Sequence, residues 1–161
     1  MSVIQSLLAP DRAAARALDT LQSLMALGAR CYVSWQFLKS GSLKLNSWDS
    51  TLYLFENEYH TPVLSPHVAA VAGAFGELFF PSLLVIGLAS RLGAIGLFAV
   101  NATAVISYAN VLLAEGAEAA LAQHVLWGSI LVFLMVYGPG TLSLDHYLGN
   151  TSKNGLPRTK P

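Results

Sequence analysis

One cysteine, Cys31, is all that 161 residues provide, and charge is scarce: nine Lys and Arg, nine Asp and Glu, 11% in all. A single thiol excludes an intramolecular disulfide, a two-cysteine redox centre and a cysteine-built zinc or iron–sulfur site. The net charge is zero and the nine basic residues form no cluster, which excludes nucleic acid as a partner. A soluble domain has roughly 25% charged residues. Here 54% of the residues are hydrophobic and the mean hydropathy is +0.53. The chain has the length of one domain and the composition of a bilayer protein.

Three stretches, 68–90, 92–114 and 119–138, each supply about 20 or more mostly apolar residues, enough for ~30 Å of hydrocarbon at ~1.5 Å per residue. A fourth, 20–38, is interrupted by Gln22, Arg30 and Gln36. It counts as a span because an odd number would leave two short, polar, basic tails on opposite sides. The expectation is an all-α, integral membrane four-helix bundle, multi-pass in the cell inner (cytoplasmic) membrane. Arg12, Arg16, Arg91, Lys153, Arg158 and Lys160 stand against Lys39 and Lys44, which places both termini in the cytoplasm and a loop of about 40–67 outside. Residues 1–19 read as an N-terminal interfacial segment with Val3, Ile4, Leu7 and Leu8 facing lipid. Residues 20–148 form the membrane domain, and 149–161 a flexible tail.

The stretch "GAFGELFFPSLLVIGLASR" (73–91) holds Glu77 and Pro81 in otherwise apolar sequence. An ionisable residue in a span costs at least ~2.5–3.5 kcal/mol on insertion scales, so it faces protein or water and has a partner. Three such residues stand out: Arg30, Glu77 and His124. Adjacent antiparallel helices can bring Arg30 and Glu77 to one depth. Two readings follow, a structural ion pair that sets helix register or the floor of a polar pocket. Pro81 cannot donate to the Glu77 carbonyl, which predicts a kink beside that pocket.

His124 reads either as an interfacial hydrogen-bonding residue or as a ligand contact. A metal held by His60, His67 and His124 would need long loops to converge, and no metal is expected. Asn101, Thr103, Ser107, Tyr108 and Asn110 supply polar groups on the third span that serve as interhelical hydrogen bonds or line a site. Trp35, Trp48 and Trp127, with Tyr53 and Tyr59, read as an aromatic belt or as the wall of a pocket for a flat lipophilic ligand.

Several motifs resemble one family. Arg30, "FLKSGSLKL" (37–45) with Gly41 and Lys44, Glu77, "GLASRLGA" (87–94) around Arg91, and "GPGTLSLD" (138–145) are similar to the DoxX-type membrane proteins over about 27–148. The resemblance implies a four-helix membrane bundle associated with quinone-linked oxidoreductase systems. On that basis the candidate ligand-binding or proton-handling residues are Arg30, Lys44, Glu77, Asn101, His124 and Trp127. No covalent cofactor is implied. The implied partners are the lipid bilayer, a protein partner or second copy, and a quinone or other lipophilic ligand. The alternative is a non-enzymatic scaffold or small-molecule transporter that docks a partner through its outer loop.

Overall fold

The computed structural model describes residues 9–154. Among them there is no strand. The helices are α1 (Ala9–Asn46), α2 (Trp48–Asn57), α3 (Pro66–Ile86), α4 (Ser90–Ser107), the short α5 (Ala109–Leu112), α6 (Glu118–Tyr137) and α7 (Leu144–Asn154). Residues 1–8 of the segment expected to lie in the interface, Val3, Ile4, Leu7 and Leu8 among them, fall outside the described residues, and α1 is already helical from Ala9. The expected loop at 40–67 is mostly helix: α1 runs on to Asn46 and α2 follows after Ser47. The reason is local. "SGSLKLN" holds no proline, and Lys44 in the last turn suits the negative end of the helix dipole. The expected flexible tail likewise begins as α7, which extends to Asn154.

Helix boundaries follow from cap chemistry. Ser65 is extended (φ −65°, ψ 151°) and Pro66 opens α3, where a missing N–H costs nothing and the fixed φ suits the first turn. Gly87 closes α3 in the left-handed region (φ 76°), and its N–H donates to the Leu83 and Leu84 carbonyls. Tyr108 (φ −114°, ψ 21°) separates α4 from α5. At the end of α6, Gly138 (φ 84°) and Pro139 stop the helix.

The four long helices pack in a ring: α1 on α3, α3 on α4, α4 on α6, and α6 back on α1. Three of them, α3, α4 and α6, are long and apolar enough to cross a membrane. Their outward faces carry exposed Val71, Phe75, Phe79, Ile95, Val125, Val132 and Val136. Apolar surface of that extent needs hydrocarbon rather than water. The interior divides in two. Val33, Phe37, Leu84, Ala94, Leu97, Leu131 and Leu134 form one buried cluster, and Phe55, Ala69 and Ala70, under α2, form the other.

Candidate functional site

Between these clusters lies a partly enclosed cavity of ≈ 470 Å³. Its wall takes Phe37 and Trp127 from the first cluster and its margin, and Phe55 and Ala69 from the second. Four sequence candidates line it: Lys44, Glu77, His124 and Trp127. Two do not. Asn101 stands behind His124, and Arg30 lies elsewhere.

The carboxylate of Glu77 is not paired with Arg30, which corrects the pairing expected from sequence. Its partner is Lys44, whose Nζ lies 2.9 Å from Oε1 and 2.7 Å from Oε2 and also donates to Ser40 Oγ at 3.0 Å. The register explains the exchange. A Cβ on Gly41 would come within 2.9 Å of Leu78 Cγ and 3.1 Å of Glu77 Cβ, so α1 and α3 touch at this level because the residue is glycine. Lys44 is one turn beyond that contact, and its side chain leans back toward the N-terminal end of its helix, onto Glu77. Arg30 is about three turns away in the other direction.

On the opposite wall, Asn101 grips His124 twice. Asn101 Nδ2 donates to the His124 carbonyl at 3.0 Å, and Oδ1 is 2.8 Å from His124 Nδ1. Because the carbonyl can only accept, the amide orientation is set, Oδ1 faces the ring, and Nδ1 carries the proton. Trp127, one turn on, meets the imidazole edge-on at 5.0 Å between ring centroids and Phe37 at 5.5 Å. Three polar atoms in the wall, Thr61 Oγ1, Ser107 Oγ and Trp127 Nε1, are buried without a hydrogen-bond partner. Sequence reasoning passed over Thr61. Nothing in a lone threonine on a connecting segment signals that the fold will bury it.

Pro81 sits fully buried in α3, which is continuous through it, and it is not among the residues lining the cavity. Small residues, Ala69, Ala72, Gly73 and Gly96, line the opening next to Glu77. The histidines also do not converge. The His60 N–H donates to the Ser107 carbonyl at 2.8 Å, and the His67 ring lies edge-on to Trp48. Among the described residues no group of three His, Cys, Asp or Glu side chains is placed to hold a metal ion.

Arg30 builds a second polar centre at the far end of the bundle. It is fully buried, with Nη1 donating to the Leu84 carbonyl at 3.2 Å and Nη2 to the Leu142 carbonyl. Its guanidinium ties the end of α3 to the segment after α6. A side chain at Gly87 would collide with Arg30 Nη1, so glycine there serves both the positive φ and the arginine. Asp145 completes the knot. Its carboxylate accepts from the Ala89 N–H at 2.7 Å and the Ser90 N–H at 2.9 Å, which caps α4 and supports Ala89 at φ 46°, a region alanine avoids. Gly87 returns the contact by accepting from the Asp145 N–H at 2.8 Å.

Burial works against the charged form of Asp145, but hydrogen bonds from Ser90 and Ala89 and the nearby Arg30 charge outweigh it and hold its carboxyl below the ordinary range. A carboxylate with a depressed folded pKa contributes stability above its unfolded value of ~3.9, and that contribution is lost as pH falls through the lower folded value. Thermal unfolding of the wild type in detergent should therefore fall off below about pH 4. Asp145→Asn should start lower at neutral pH and show a flatter acid limb. Parallel limbs would remove Asp145 as the source.

The fold is that of an all-helical, multi-pass membrane protein with a mainly apolar cavity, holding one ion pair, between its long helices. The chain belongs to the DoxX family, whose sequence model matches residues 25–110. That range includes Arg30, Gly41, Lys44, Glu77 and Asn101, while His124, Trp127 and the closing "GPGTLSLD" lie beyond it. No curated protein and no solved structure matches the chain.

Proposed function

We propose that the protein is the membrane subunit of a quinone-linked redox system and that its cavity holds a quinone or comparable lipophilic small molecule. In this reading α1 is the fourth span, both termini are cytoplasmic, and the membrane is the inner one. The observation that carries the reading is the cavity itself. Its volume of ≈ 470 Å³ falls within the ~300–1,000 Å³ of small-molecule sites. Its surface is mainly apolar, and the ion pair in its wall, Lys44–Glu77, is internally neutral. Such a site suits an uncharged, largely hydrophobic guest with a few polar atoms.

The chain's own residues would bind and orient that guest and hold protons near it. Electron transfer would fall to the quinone and to a partner protein.

The test is direct. Full-length protein purified in native lipid should yield extractable quinone near one equivalent, and added quinone should quench tryptophan fluorescence saturably. Trp127→Phe should lose most of the saturable component, since Trp127 borders the cavity and Trp35 is exposed on α1. Absence of both bound quinone and saturable quenching would favour the scaffold reading instead.

A further inference from the structure

The hydrogen-bonding capacity of the cavity wall is unequally spent. Lys44 Nζ donates to Ser40 Oγ and to the two oxygens of Glu77, so its donor capacity is turned largely toward the protein. Glu77 differs. Among the described residues each carboxylate oxygen accepts only from Lys44 and retains a lone pair, and a carboxylate can do nothing but accept.

His124 reaches the same condition by another route. Asn101 fixes the proton on Nδ1, which leaves Nε2 of the neutral ring as an acceptor with no partner among the described residues. Both groups line one cavity, Glu77 on α3 and His124 on α6. A hydroxyl group suits both, because its proton can go to His124 Nε2 or to a Glu77 oxygen. A carbonyl oxygen can accept from hydroxyls that also line the cavity, such as those of Tyr59 and Thr103, but it offers no donor to His124 Nε2 or to Glu77.

We propose that the cavity selects the reduced, hydroxyl-bearing form of an aromatic dicarbonyl ligand, a hydroquinone, over the oxidised quinone. The inference rests on the ligand reading above and adds to it the redox state that is bound more tightly. Selectivity of this kind comes from unpaired groups in the wrong complex. A site built to hydrogen-bond an O–H penalises the analogue that lacks it. The Lys44–Glu77 pair does not enter as a charge, since the ligand is neutral in both states; it enters through the acceptor capacity of the carboxylate.

The experiment compares three probes of one ring and one decyl chain: the benzoquinone, its hydroquinone and the hydroquinone dimethyl ether. Binding is measured anaerobically to the full chain in lipid nanodiscs, corrected with empty nanodiscs. The hydroquinone should bind about tenfold or more tightly than either of the others, the equivalent of at least one good hydrogen bond. His124→Phe should bring the hydroquinone-to-quinone ratio toward one. Asn101→Leu, which frees the imidazole tautomer without touching the cavity wall, should narrow the ratio in the same direction. Quinone binding as tightly as hydroquinone, or an ether binding as tightly as the diol, would overturn the selectivity and leave the ligand reading standing. No saturable binding by any of the three would overturn both.

Discussion

Lys44→Met and Glu77→Leu, each made alone, should destabilise the folded bundle by about 3–5 kcal/mol, and the double substitution should recover most of that loss. The expectation follows from burial. The two side chains retain only 18% and 9% of their accessible surface, and each single change leaves the other charge in the cavity wall without its counterion. Desolvation makes an orphaned ion costlier than an apolar pair of similar volume. SDS- or heat-induced unfolding in mixed micelles would measure it. Equal losses in the single and double variants would show that the contact between α1 and α3 has no energetic coupling. Retained stability in the double variant would also make it the right background for asking whether Glu77 matters to ligand binding.

Arg30→Leu should cost a similar amount, about 3–5 kcal/mol, for a different reason. Hydrogen bonds from a charged donor contribute ~1.5–3 kcal/mol each, and the fully buried Arg30 makes two, to the Leu84 and Leu142 carbonyls. Arg30→Lys should rescue little, because a compact ammonium cannot reproduce the fork that spans Leu84 and Leu142. Loosening should be local at first, so proteolysis after Gly138 should accelerate more than global unfolding. The same variant separates the two polar centres. Arg30→Leu and Glu77→Leu should add to within ~0.5 kcal/mol, as distant sites do, whereas an Arg30–Glu77 pair would couple strongly.

Arg30 and Glu77 also show where sequence stops. Composition together with the long apolar runs pointed to a helical membrane protein, because 54% hydrophobic and 11% charged residues depart from the balance of a soluble domain and the runs are long enough to span a bilayer. Three of the crossing helices could be read from their apolar runs: α3 and α6 occupy theirs with shifts of a few residues at the ends, while α4 stops at Ser107, short of the expected 114. The ionisable residues in those runs had to have partners, since the cost of an unpaired ion at membrane depth is a property of the residue type. Partner identity is another matter. It depends on the relative axial position of two helices, and the glycine that sets it, Gly41, looks like any other small residue until Leu78 is found against it. Lys44 stood out in the sequence only through its place in a family motif, and α1 was expected to have ended before reaching it.

The cavity is further still from the sequence. Its wall is assembled from α1, α3, α4, α6 and the segment around α2, so residues such as Thr61, Ser107 and Trp127 acquire a common role only when five separate pieces of chain meet. The tautomer of His124 is decided by one amide, on Asn101, 23 residues away in sequence. Burial, pairing cost and helix length are local or compositional quantities, and the sequence by itself determined them. Register, cavity shape and the direction of each spare lone pair are differences between positions on separate helices, and only the packed tertiary structure decided those.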